Sequence, residues 1–102
     1  MKKKRLDMLN QLEAIIADRR KKPIKGSYTN KLFKKGRKKM AQKVGEEGVE
    51  VVIAALAEGK EEQVNEIADL LYHLLVLMND LDITLDDIND VLKKRHHPSE
   101  KS

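Results

Sequence analysis

The two longest patterned stretches of this chain, 37–58 and 60–80, meet at Gly59, and both repeat apolar residues at helical spacing. In the second, Leu70, Leu71, Leu74, Leu75 and Met78 make a broad apolar face. Two helices separated by so short a break pack most simply as an antiparallel pair, so a helical hairpin is expected at the centre of the fold. Leu6, Leu9, Leu12, Ile15 and Ile16 predict an earlier helix over about 6–22, ended by Pro23 and Gly26. Ser27 predicts the N-cap of a short helix through Leu32 and Phe33, closed by Gly36. Thr84, with Asp87 three residues on, reads as an acidic capping box that opens a last helix to about His96, and Pro98 ends the order. Strand alternation is absent. The predicted architecture is all-α, four to five helices in a single domain over 1–102, with a basic tail at about 1–5 and a disordered tail at about 97–102.

A single domain of 102 residues builds only a modest core and gains by burying more surface in an oligomer. There is no cysteine, which excludes disulfides and thiolate metal sites and agrees with a reducing compartment. The basic start lacks a following apolar segment, so no secretory signal is expected there. The longest apolar stretch, 70–78, is too short to span a bilayer. A cytoplasmic protein without membrane attachment is expected. The net charge of +4 hides an asymmetry: residues 1–43 carry +13 and residues 44–102 carry −9. A basic half beside an acidic half suits a polyanionic substrate bridged by metal to carboxylates. It also suits nucleic-acid binding, a rival that the absence of a recognition motif and the scarcity of aromatics disfavour.

Each central helix carries one acidic pair, Glu47-x-x-Glu50 and Glu66-x-x-Asp69, followed directly by an apolar residue. On a helical wheel Met40 and Val51 lie within roughly 40° of Glu47, and Leu70 and Leu77 within roughly 40° of Glu66. Glu50 and Asp69 lie about 60° to the other side of their partners. A single E-x-x-E in a Lys/Glu-rich helix is ordinarily a solvated face. Two copies with the same apolar offset in adjacent helices favour convergence. Four converging carboxylates repel one another unless a cation joins them, and oxygen-only donors select a hard ion such as Mg²⁺. Glu46 is a further candidate: an extra ligand, an outer support or a surface residue. Lys43, on the same side as Glu47 and Glu50, is a phosphate contact or a salt-bridge partner.

With those residues in hand, the chain resembles the phosphoribosyl-ATP pyrophosphohydrolase family of histidine biosynthesis. The segments that carry the resemblance are Ser27-Tyr28-Thr29-Asn30-Lys31-Leu32, Gln42-Lys43-Val44-Gly45-Glu46-Glu47-Gly48-Val49-Glu50 and Glu66-Ile67-Ala68-Asp69-Leu70-Leu71-Tyr72-His73-Leu74. The acidic pairs are shared with the wider group of all-α, MazG-like nucleoside triphosphate pyrophosphohydrolases; the first and third segments separate the family from that group. The resemblance implies an all-α fold, a homodimer, Mg²⁺ dependence and hydrolysis of phosphoribosyl-ATP to phosphoribosyl-AMP and pyrophosphate. It makes Glu47, Glu50, Glu66 and Asp69 the expected metal ligands.

The basic residues then have an expected role. Lys31 and Lys43, inside matched segments, are candidates to receive substrate phosphates. Ser27, Tyr28 and Thr29 join them at a helix start, where free N–H groups favour anions. Most of the remaining run from Lys34 to Lys39 reads as a solvated face. Tyr72 and His73 are expected to pack, and His96 and His97 to belong to the tail. Glu47 or Glu50 is the expected carboxylate nearest the attacking water. The closest rival is a housecleaning pyrophosphohydrolase acting on dUTP, dCTP or damaged nucleotides with the same carboxylates.

Overall fold

The computed structural model describes residues 2–96, with side chains from Met8 onward. Five helices follow in order: α1 (Lys2–Lys21), α2 (Tyr28–Lys35), α3 (Arg37–Ala57), α4 (Lys60–Asp80) and α5 (Leu85–Arg95). The fold is all-α, and α3 and α4 form the expected antiparallel pair. Helix α1 begins four residues before the expected Leu6, so residues 2–5 are helical rather than tail. Lysine and arginine are good helix formers, and nothing in that basic run stops propagation. The C-terminal tail expected at 97–102 lies outside the described residues.

The joints follow from local chemistry. Ser27 caps α2, its Oγ accepting from the Asn30 amide at 3.2 Å. The Asn30 side chain pins the preceding loop, donating to the Arg19 carbonyl at 2.7 Å and accepting from the Ile24 amide at 2.9 Å. Gly36 turns the chain from α2 into α3 at φ 98°, a conformation that glycine adopts without a Cβ penalty. At the hairpin, Gln63 Nε2 donates to the carbonyls of Ala54 (3.1 Å) and Glu58 (2.9 Å), satisfying the end of α3 from the first turns of α4. Thr84 and Asp87 complete the reciprocal capping box of α5. Glu13 of α1 accepts from the Leu85 amide at 2.7 Å and so ties α5 to α1.

Helix α4 ends in a Schellman arrangement. The Ile83 amide donates to the Met78 carbonyl at 2.8 Å and the Asp82 amide to the Asn79 carbonyl at 3.0 Å. The left-handed residue is Asp82, at φ 60°, in the place glycine usually takes. Arg37 also holds this end, bonding the Asp80 carboxylate at 2.6 Å and the Asp80 carbonyl at 3.2 Å.

The core is small. Ile16, Leu32, Met40, Leu75, Val76 and Met78 are buried, with Leu9, Leu12, Phe33, Tyr72, Leu77 and Leu85 packed around them. Four helices meet there, while α5 contributes no buried residue. Much apolar surface stays outside. On α3, Ala41, Gly45, Val49, Val52 and Leu56 share one face within roughly 40° of Gly45. Leu56 is 83% exposed, and Val49 and Val52 are exposed as well. Val64, Ile67, Leu71 and Leu74 extend the apolar exposure along α4. Glycine in a helix interior costs about 1 kcal/mol relative to alanine. Yet α3 carries Gly45 and Gly48, and a Cβ built at either meets nothing within 4 Å. Packing among the described residues does not require those glycines.

Candidate metal centre

The opposite face of α3 looks onto α4 and α2. There Glu47, Glu66 and Asp69 bring one carboxylate oxygen each to within 4.8 Å of one another. The hairpin explains the meeting. Glu47 stands on the core-ward side of α3, in line with buried Met40 and Ala54, and Glu66 stands on the matching side of α4. Only 14% of the Glu47 side chain is exposed, so its carboxylate is held at the core edge as the helical wheel predicts.

Glu50 lies outside the trio and is exposed. It is nonetheless close enough to act on Glu66. Loss of solvent raises the Glu66 pKa, and the negative charges of Glu50, Asp69 and Glu47 add to that rise. Glu58 contributes in the same sense, a neighbour that the two acidic pairs did not point to. Glu46 turns away: Gln42 Nε2 donates to one of its oxygens at 2.7 Å, and Lys43 stands 3.5 Å from the other. The Gln42 hydrogen bond, together with Lys43, holds the Glu46 carboxyl below its ordinary value.

Lys43 bridges. Its Nζ is 3.7 Å from Glu47 as well as 3.5 Å from Glu46. Burial pulls its pKa down, but Tyr28 and the two carboxylates outweigh that and hold it above the usual lysine value. Lys43 therefore stays charged beside Glu46 and Glu47. Lys31 sits elsewhere. It is exposed and lines a cavity of about 240 Å³ with Lys25, Lys34, Ser27 and Asn30.

The Ser27–Tyr28–Thr29 run divides in its surroundings. Ser27 Oγ serves as the helix cap, and Thr29 is buried with its Oγ1 bonded to the Tyr72 hydroxyl. Tyr28 Oη lies 3.0 Å from His73 Nε2, and His73 Nδ1 lies 2.8 Å from the Asp69 carbonyl. The three rings pack together, Tyr28 stacked on Tyr72 at 6.1 Å and His73 edge-on to both. Packing is thus what Tyr72 and His73 do, as expected. The connection to the acidic residues is the new element. Its signal in the sequence is the four-residue step from Asp69 to His73, which puts both on one helix face.

The trio fits a hard divalent cation. All of its donors are carboxylate oxygens from two rigid helices, and their mutual repulsion is relieved by positive charge. A match to the family model of phosphoribosyl-ATP pyrophosphohydrolase covers residues 9–96, nearly all of the described chain. The chain belongs to the phosphoribosyl-ATP pyrophosphohydrolase family. It is 50% identical over 90 residues to the phosphoribosyl-ATP pyrophosphatase of Clostridium acetobutylicum, covering 88% of this chain and 82% of that protein. It is 53% identical over 89 residues to the phosphoribosyl-ATP pyrophosphatase of Metallosphaera sedula, covering 87% of this chain and 96% of that protein. The histidine biosynthesis bifunctional protein HisIE of Bacillus subtilis is 50% identical over 97 residues, 95% of this chain but 46% of that longer protein. No helix among the described residues is long and apolar enough to cross a membrane.

Proposed function

We propose that this chain hydrolyses phosphoribosyl-ATP to phosphoribosyl-AMP and pyrophosphate, the second step of histidine biosynthesis, with Mg²⁺ held by Glu47, Glu66 and Asp69. The observation that carries the reading is the carboxylate trio, with Lys43 alongside, in a chain of this family. Bound there, Mg²⁺ supplies charge neutralisation of the triphosphate and polarisation of the anhydride.

The chain's own residues do the rest. Glu50, adjacent to the trio but outside it, takes the proton of a water that attacks the α-phosphorus. Glu47, the less exposed member of its pair, is fixed as a ligand. The bond from the α-phosphorus to the bridging oxygen breaks, and pyrophosphate leaves. Lys43, held charged beside Glu47, offers its ammonium to phosphate oxygens. Lys31, with Lys34 in the neighbouring cavity, provides a second basic contact at a distance from the reacting atoms.

The working form is a homodimer built on the outer face of the hairpin. Support comes from the exposed apolar stripe of α3 and α4, and from Gly45 and Gly48, whose missing side chains let another helix approach closely. With the pathway role goes a cytoplasmic location, expected of an enzyme of amino-acid biosynthesis.

The test is pyrophosphate release from phosphoribosyl-ATP with Mg²⁺, run beside dUTP, dCTP and ATP. Preferential release from phosphoribosyl-ATP, abolished by EDTA, is expected. Release confined to the ordinary nucleotides would keep the carboxylate site and replace the histidine-pathway substrate.

A further inference from the structure

Three hydroxyls stand in the Ser27–Tyr28–Thr29 run, and each already makes one hydrogen bond within the chain. Tyr28 is the most exposed of the three residues, at 47%, while Thr29 is buried. The direction of its hydroxyl proton follows from the bonds around His73. A backbone carbonyl can only accept, so His73 Nδ1, 2.8 Å from the Asp69 carbonyl, carries the imidazole proton. In the neutral ring Nε2 is then bare and accepts. Tyr28 Oη, 3.0 Å from Nε2, must be the donor. His73 is 7% exposed and packed edge-on against two tyrosine rings, which holds both nitrogens at their partners. Turning the ring over would put carbon atoms against the Asp69 carbonyl and the Tyr28 hydroxyl.

The outward side of Tyr28 Oη therefore presents lone pairs alone. Phosphate oxygens at neutral pH are mainly acceptors and gain nothing there. A sugar hydroxyl or an amine N–H does gain a bond. The path from Tyr28 Oη through His73 to the Asp69 carbonyl places this acceptor at the border of the carboxylate site, since Asp69 belongs to the trio. We infer that Tyr28 is a specificity-determining residue that accepts a hydrogen bond from a donor on the nucleoside part of the substrate, and that His73 is a positioning residue that keeps the tyrosine proton turned inward. The inference rests on the phosphoribosyl-ATP reading and departs from the expectation that Tyr28 receives phosphate.

The experiment compares inhibition of the Mg²⁺-loaded enzyme by phosphoribosyl-AMP, AMP and pyrophosphate in wild type, Tyr28→Phe and His73→Phe. Wild-type turnover of phosphoribosyl-ATP is the control: its absence would sink the parent reading and not this one. In Tyr28→Phe, phosphoribosyl-AMP is expected to bind about 3- to 10-fold more weakly, with pyrophosphate unchanged. Weakening shared by AMP puts the donor in the AMP half; weakening of phosphoribosyl-AMP alone puts it on the added ribosyl group. Weakening of pyrophosphate, or no change for any ligand, would overturn the inference. His73→Phe frees the tyrosine proton, so the binding ratio should shift toward pyrophosphate; an unchanged ratio would remove the positioning role. Nitrogen-15 shifts of the wild-type imidazole should report a protonated Nδ1 and a bare Nε2. The opposite tautomer would refute the proton assignment whether or not either variant folds.

Discussion

The two faces of helix α3 obey opposite rules. The inner face carries Glu47 and Lys43, charged groups that a core would ordinarily reject, held in place by α4 and α2. The outer face carries Val49, Val52 and Leu56, apolar groups that water would ordinarily reject, exposed among the described residues. Each face is unfavourable as it stands, and each would be relieved by the partner proposed for it: a cation within, a second apolar surface without. Charge buried at a boundary and apolar surface left exposed teach the same lesson: neither face of this hairpin is arranged for the stability of the isolated chain.

Breaking the inner face should have the largest effect on activity. Glu50→Gln keeps size and hydrogen bonding but removes the proposed base, and a fall in kcat of about 10²- to 10⁴-fold is expected. Glu50 is exposed and makes no core contact, so circular dichroism should be unchanged. Near-normal turnover in a steady-state pyrophosphate assay would mean that the proton goes elsewhere.

Breaking the outer face should change assembly instead. Val52→Asp places a charge in the middle of the α3 stripe, where a partner helix would have to desolvate it. Light scattering at micromolar concentration should give the dimer mass for wild type and the monomer mass for the variant, with helicity retained. A wild-type monomer would leave the stripe and the two open glycines without their proposed role.

The two faces also differed in how far the sequence revealed them. The helix boundaries, the central hairpin and the capping box of α5 follow from periodicity and punctuation, which are local properties. The convergence of Glu47, Glu66 and Asp69 was legible too, because a hairpin with its break at Gly59 sets the register of both helices. The separation of Glu50 from that trio was not, since a wheel gives direction around a helix but not which oxygen reaches across to another. The same holds for Thr29, whose hydroxyl looked available in the sequence and which only tertiary structure shows bonded to Tyr72. The Ser27 cap, a local feature, was legible. Asp82 was illegible for another reason: it occupies a left-handed cap position where glycine would have announced the turn.

The smallest effect sharpens the comparison, because it asks whether the inner face is strained without its cation. Glu66 is pushed toward its protonated form first by loss of solvent and then by Glu50, Asp69 and Glu47. Ionised Glu66 therefore weakens the folded state near neutral pH when no cation is present. Glu66→Gln removes that charge without removing the side chain, so the metal-free variant should melt a few degrees above metal-free wild type. Adding Mg²⁺ should reverse the order. Ligand binding stabilises the folded state in proportion to the logarithm of its concentration above Kd, about 2.7 kcal/mol at a hundredfold excess. Wild type gains that increment, and the variant, short of one ligand, gains less. The measurement is a pair of thermal melts, with EDTA and with Mg²⁺, for each protein. If wild type is the more stable in both, the carboxylates are not in conflict, and the inner face would be an ordinary solvated one. If the order inverts with metal, the repulsion among Glu47, Glu66 and Asp69 is the feature that makes the centre bind: an arrangement destabilising alone and stabilising once a cation stands among its oxygens.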